Sequence, residues 1–242
     1  MNASTFSFQG IKIFGKTGHW DISIKKGKIK EIKESSKKDS GFITPRFSDI
    51  HVHLDKTGTA KRIPRRATSL FDAIDLMHND KINWTEEDIY FRANQAVKTA
   101  YRRGTGFLRT HVDWENETCP LAWKVINAIK SNWASRVAIQ MCSLTSIDVL
   151  ESVGEIIAKK IKSDGGILGA FIYRNERLDE KIRKVFELAT KYDLELDFHV
   201  DEGLDRQADG FDLIVKYTKD FDMQYKVLCG HACSLSVRDK YE

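Results

Sequence analysis

Two hydrophobic periodicities divide this chain. Up to about residue 33, apolar and polar residues alternate in Phe6-Ser7-Phe8, Ile11-Lys12-Ile13-Phe14, Trp20-Asp21-Ile22-Ser23-Ile24 and Lys28-Ile29-Lys30-Glu31-Ile32. Successive side chains of a strand point to opposite faces, so this pattern predicts short antiparallel strands, with Gly10, Gly15, Gly18 and Gly27 supplying the turns. The polar run Ser35-Ser36-Lys37-Lys38-Asp39-Ser40-Gly41 reads as a connection. From Phe42 onward the pattern changes to strand followed by helix. Thr85 is a good N-cap, with Asp88 at the capping-box position, for a helix through Ile89, Ala93, Ala96, Val97, Ala100 and Tyr101 that Gly104 stops. Strands are then expected at 107–112, 137–144, 167–173, 194–200 and 226–230, and helices at 120–133, 148–162, 178–192 and 208–219.

Alternating strands and helices argue for parallel βαβ units with right-handed connections. Counting the apolar run that begins at Phe42, six such strands are present. Neither Gly-x-Gly-x-x-Gly nor a Walker loop supports a doubly wound nucleotide-binding sheet. A barrel is the better expectation, because it carries its chemistry at the C-terminal ends of its strands.

That is where the histidines fall. His51-Val52-His53 closes the first strand, and two imidazoles two residues apart on a strand share a face and can grip one metal ion. His199 ends the fifth strand and His231 follows the sixth. A lone His-x-His arises often by chance, and a single buried histidine is more often packed than ligating. Four histidines at the ends of parallel strands are harder to assign to packing. Glu202 lies just past His199, where a carboxylate can take a proton from a metal-activated water and pass it to a leaving amine. His231 would sit beside that water and stabilise charge at the attacked carbon. His111, in Arg109-Thr110-His111-Val112-Asp113, and Asp113 invite a supporting role as readily as plain packing. His19 and His78 fall in a turn and on a helix and receive no role.

Composition narrows the partners. The 242 residues are 41% hydrophobic and 31% charged, enough for one large α/β domain or two small ones. A net charge of +4, spread along the chain, leaves no nucleic-acid footprint; the basic run from Lys25 to Lys38 is interleaved with Ile and Glu. No segment reaches membrane-spanning length and no signal peptide is visible, so no membrane partner and a cytoplasmic location are expected. Four cysteines are too few for a disulfide scaffold. Cys229 and Cys233 flank His231 at a spacing that matches neither a zinc finger nor Pro-Cys-x-x-Cys, and read as buried thiols.

Four segments in order, His51-Val52-His53-Leu54-Asp55-Lys56, Arg109-Thr110-His111-Val112-Asp113, Asp197-Phe198-His199-Val200-Asp201-Glu202 and Gly230-His231, resemble the amidohydrolase superfamily, most closely its cytosine deaminase-like branch. The resemblance runs from about Gly10 to the C-terminus. It implies a (β/α)8 TIM-type barrel beside a small β-sandwich built from both chain ends. On that reading residues 1–41 are the N-terminal part of the sandwich and 42–242 a partial barrel of about six βα units. It implies one divalent metal ion, iron or zinc, held by His51, His53, His199 and an eighth-strand Asp. Glu202 becomes the proton shuttle, and His231 orients water and polarises the substrate. The implied reaction is hydrolytic deamination of a small pyrimidine-like heterocycle, releasing ammonia. A C–N hydrolase acting on a cyclic amide or an N-alkyl triazine is the runner-up, against which Glu202 argues.

Two departures bear on this. Where the bacterial cytosine deaminases carry a substrate-reading glutamine, this chain reads Leu144-Thr145-Ser146, and its fourth strand ends in Tyr173-Arg174-Asn175. The substrate-binding residues are therefore open. The sequence also stops at Glu242, just after the sixth strand, without the two further strands and the metal-binding Asp. An inactive truncated remnant, or a subunit completed by a complementing C-terminal chain or a homo-oligomer, is the rival expectation, with little activity from this chain alone.

Overall fold

The computed structural model describes residues 5–39 and 41–239, so Ser40 of the polar connection and both chain ends lie outside the described residues. Two compact units are found, residues 1–47 and 48–242.

The first unit contains a four-stranded sheet in the order β3-β2-β1-β4. Its strands are β1 (Thr5–Ile13), β2 (Trp20–Lys25), β3 (Lys28–Glu34) and β4 (Phe42–Ile43). β1 and β2, and β2 and β3, pair antiparallel, as the alternation predicts. The segments at Phe6 and Ile11, expected as separate strands, are one strand whose register shifts between Phe8 and Ile11. Gly10 is the reason: it adopts φ +68, its N–H donates to Asp21 Oδ1 at 2.9 Å, and a Cβ there would lie 2.9 Å from the Lys37 carbonyl carbon. The extra residue is absorbed as a bulge, and pairing continues beyond it. Phe42–Ile43 is a separate strand that pairs parallel with β1. Thr44-Pro45-Arg46 separates it from β5 (Phe47–Val52), since proline brings no N–H to a ladder.

In the second unit β5 edges a six-stranded sheet with the order β10-β9-β8-β7-β6-β5. Its other strands are β6 (Thr105–Asp113), β7 (Ala138–Ser146), β8 (Leu168–Ile172), β9 (Leu196–Val200) and β10 (Val227–His231). The ladders from β6 to β10 are parallel. Sequential order with parallel pairing is the signature of a barrel wall wound one way. Helices α2 (Glu86–Arg102), α3 (Leu121–Trp133), α4 (Ile147–Ser163), α5 (Leu178–Tyr192) and α6 (Gly210–Asp220) connect the strands. Their buried stripes, including Ile89, Ala93 and Val97 on α2 and Ile157 and Ile161 on α4, form one apolar layer with the outward strand residues Val112, Phe198 and Val200. Thr85 caps α2 as expected, accepting from Asp88 N–H at 3.2 Å.

One element was not anticipated. In the long connection between β5 and α2, α1 (Leu70–Asp80) is capped by Ser69, whose side chain accepts from Asp72 N–H at 3.1 Å.

Candidate metal centre and active-site cavity

The curl of the parallel sheet gathers five imidazoles from four strand ends. His51 lies in β5, and His53 follows it one residue past the strand. Their ring centroids are 5.3 Å apart, as same-face neighbours should be. His199 of β9 stands 4.5 Å from His51 and 5.3 Å from His53, and its Nε2 faces His53 Nε2 at 3.4 Å. His231 of β10 lies 4.9 Å from both His51 and His199.

Sequence spacing alone does not aim His231. In the parallel register Gly230 is opposite His199 and shares its inward face, so His231 should face outward. Its backbone is instead left-handed, φ +67, which turns the ring back toward the histidines. Gly230 is needed beneath it, because a Cβ there would sit 3.0 Å from His51 Cε1 and 3.1 Å from Nδ1. Glu202, two residues past β9, follows another left-handed residue, Asp201 (φ +49), and places Oε1 3.7 Å from His231 Nδ1. Asp201 is held by Phe211 N–H at 3.1 Å and Ser234 O–H at 3.2 Å. Those bonds fix the turn that carries Glu202.

His111 of β6 joins the cluster, with ring centroids 4.5 Å from His51 and 4.6 Å from His199. One ring nitrogen each from His51, His53, His111 and His199 lie within 4.8 Å of one another. Burial makes His51, His53 and His199 poor proton acceptors. It holds His53 down to about 3, with the Lys56 ammonium adding to the effect, and lowers His199 and His51 with help from neighbouring imidazoles. His51 Nε2, His199 Nδ1 and both nitrogens of His111 are buried without a hydrogen-bond partner. Buried polar atoms are ordinarily paired. Convergent ring nitrogens, several of them unpaired, are the donor set a divalent transition metal takes, so these residues fit such an ion.

The loop after His53 is pinned on three sides. Leu54 N–H donates to Thr110 Oγ1 at 3.0 Å, and Arg92 donates to the Asp55 and Thr57 carbonyls at 2.7 Å. Asp55 is fully buried and accepts from Lys56 N–H and Asp113 N–H, and burial pushes its carboxyl up to about 6. Lys56 reaches Asp113 at 2.5 Å and His53 Nδ1 at 3.3 Å, and Lys81 reaches Asp113 at 2.8 Å. Burial raises the Asp113 carboxyl, but those two ammonium groups outweigh it and hold it below the ordinary range.

Above the histidines opens a cavity of about 400 Å3. His53, His199, Glu202 and His231 lie on its floor and rim, with Lys56, Asp113 and Ser146 adding polar groups. The opposite wall is apolar: Leu70, Ile74 and Met77 of α1, with Leu144 and Phe171. Sequence reasoning missed this wall together with α1, and missed Lys56. Leu144 and Ser146 do line the cavity, from the position where a substrate-reading glutamine was looked for. Among the described residues Cys229 and Cys233 join no metal-ligating cluster, and burial pushes the Cys229 thiol up to about 12. Among the described residues His19 and His78 join no metal-ligating group, and His78 is exposed on α1 near Glu115.

Residues 42–225 match the Amidohydrolase family, and the chain belongs to it. It is 28% identical over 232 residues to the pterin deaminase of Rhizobium rhizogenes, covering 91% of this chain and 53% of that protein. It is 25% identical over 184 residues to the N-isopropylammelide isopropyl amidohydrolase of a Pseudomonas species, covering 70% of this chain and 44% of that one. The chain thus spans about half the length of the curated relatives it matches. The crystal structure of 5-methylcytosine deaminase from Klebsiella pneumoniae liganded with phosphonocytosine superposes with a TM-score of 0.81 at 23% identity. That match covers 98% of this chain and 61% of the other. The likeness is one of fold and bears out the amidohydrolase barrel expected from the four motifs. Among the described residues no helix is long and apolar enough to cross a membrane.

Proposed function

We propose that this chain carries the metal-binding and proton-transfer part of a hydrolytic deaminase acting on a small amino-substituted heteroaromatic ring, of the pterin or cytosine kind. The supporting observation is the convergence of His51, His53 and His199 nitrogens, His51 Nε2 and His199 Nδ1 among them unpaired, beside a cavity lined by Glu202 and His231. A pterin deaminase among the relatives adds weight to deamination.

His51, His53 and His199 would hold one divalent ion, zinc or iron, whose Lewis acidity brings the pKa of water toward neutrality. Glu202 accepts a first proton from the attacking water and gives it to the ring nitrogen, then takes the remaining hydroxyl proton and gives it to the departing amine. Water oxygen bonds to the ring carbon, the C–N bond breaks and ammonia leaves. His231, 3.7 Å from Glu202, donates toward the oxygen as charge develops on it. The apolar wall of α1, with Leu144 and Phe171, covers a ring face and excludes bulk water.

The test is ammonia release from pterin and from cytosine by zinc- or iron(II)-loaded protein. Ammonia in equal amount to deaminated ring is expected, falling about 10²- to 10⁴-fold in Glu202→Gln, with metal content retained. Ring-opened product, or turnover indifferent to Glu202→Gln, overturns deamination. A second reading is that activity needs further polypeptide, because relatives extend well beyond the matched half and β5, a sheet edge, borders a groove of about 1030 Å3 against α2. Supplying the C-terminal half of the Rhizobium pterin deaminase in trans separates the two. Ammonia only in the mixture supports the second reading, and no ammonia in either preparation rejects deamination altogether.

A further inference from the structure

We infer that His111 is a fourth nitrogen ligand, closing the metal site from the barrel interior beneath His51 and His199. The inference rests on the proposed metal centre and extends it to a residue to which the resemblance gives no ligand role. Three observations carry it. His111 is fully buried, and neither ring nitrogen has a hydrogen-bond partner. One of its nitrogens belongs to the same group, within 4.8 Å of one another, as those of His51, His53 and His199. Its Nε2 lies 3.1 Å from Asp197 Oδ1, without the alignment of a hydrogen bond.

The third observation sets the orientation. Ligating histidines ordinarily give their second ring nitrogen's N–H to a carboxylate or carbonyl, which fixes the tautomer. Asp197 is fully buried and is itself anchored, its Oδ2 accepting from Arg109 Nη1 at 2.9 Å. With Nε2–H given to Asp197 Oδ1, 3.1 Å away, Nδ1 would keep the free lone pair for the ion. The column Arg109–Asp197–His111 therefore has the order of support, carboxylate and ligand. Packing alone does not account for it, because a structural histidine fully enclosed in protein would satisfy at least one nitrogen.

X-ray absorption on the zinc-loaded chain, counting imidazoles, tests this directly. Four are expected in the unaltered protein and three in His111→Ala, with zinc affinity by chelator competition falling more than about 100-fold, beyond the range for an outer partner. Asp197→Asn should keep four imidazoles and lose about 10- to 100-fold in affinity. Three imidazoles in the unaltered protein, unchanged in His111→Gln, overturn the inference and leave the metal centre standing. Failure to bind zinc, or binding indifferent to His51→Ala and His53→Ala, overturns the metal centre and this inference with it. The count on the unaltered protein decides the matter even where a variant fails to fold.

Discussion

At the scale of single residues, the site depends on backbone conformations that most side chains avoid. His231 and Asp201 both sit at positive φ, a state that costs of order 1–3 kcal/mol for a residue other than glycine. In exchange, His231 and Glu202 face the cavity rather than the helices outside. Gly230 makes this possible by leaving room for the His51 ring. A methyl group there meets His51 at 3.0 and 3.1 Å, close enough that the ring must shift by a few tenths of an ångström. Gly230→Ala is therefore expected to cost about 1–2 kcal/mol in stability, as overpacking does, and to weaken zinc binding about tenfold by moving a ligand. Thermal unfolding and chelator competition read the two effects separately. Unchanged affinity would mean that His51 is not held where its donor matters.

At the scale of elements, α1 is the least supported and the most informative. Leu70, Ala73, Ile74 and Met77 recur at helical spacing, but they face the cavity instead of the core. The helix depends on its cap: Ser69 accepts from Asp72 N–H, and Asp72 in turn binds Arg65 and Thr68. Ser69→Ala should cost about 1 kcal/mol, confined to α1. Hydrogen exchange should quicken in residues 70–80 and stay unchanged in β6 to β9; a uniform change would show α1 to be part of the cooperative core. The cap at Ser69 and the spacing of Leu70, Ala73, Ile74 and Met77 are a helix signal present in the sequence; what the sequence does not carry is that this stripe lines a cavity and not the core. The helices that do bury one were legible: α5 spans Leu178–Tyr192 as expected, and α2, α3, α4 and α6 begin within about two residues of expectation, which is the ordinary uncertainty of helix ends. Local pattern also located His51, His53, His199 and His231. It could not show that His111 stands 4.5 Å from His51, because that distance depends on how β5 and β6 align as neighbours in the sheet, which neither segment specifies by itself. Nor could alternation reveal the break at Pro45, since both flanking segments are apolar.

For the whole molecule, gathering neutral imidazoles in the barrel mouth ties stability to pH. In the unfolded chain histidines titrate near 6.5. In the folded chain burial lowers His51, His53 and His199, with His53 held down to about 3. Below about pH 6.5 the unfolded state therefore binds protons that the folded state refuses. The stability these residues contribute is complete above pH 6.5 and is lost as pH falls toward 3. His53 alone accounts for a few kcal/mol over that window, against a total of about 5–15 kcal/mol for an ordinary domain. Metal-free protein should thus melt at steadily lower temperature from pH 7 to pH 4. An ion that binds only the folded, neutral imidazoles adds stability in proportion to the logarithm of its concentration over its Kd. Because the folded chain keeps these imidazoles neutral below pH 6.5, protons compete for the same lone pairs only as pH falls toward 3, so zinc should raise the melting temperature at pH 7.5 and keep most of that increment at pH 5. Melting curves across this range, in EDTA and in zinc, check both limbs. A flat EDTA profile would show that the histidines charge freely in the folded chain, and the dry, convergent donor set on which metal binding rests would not exist in solution.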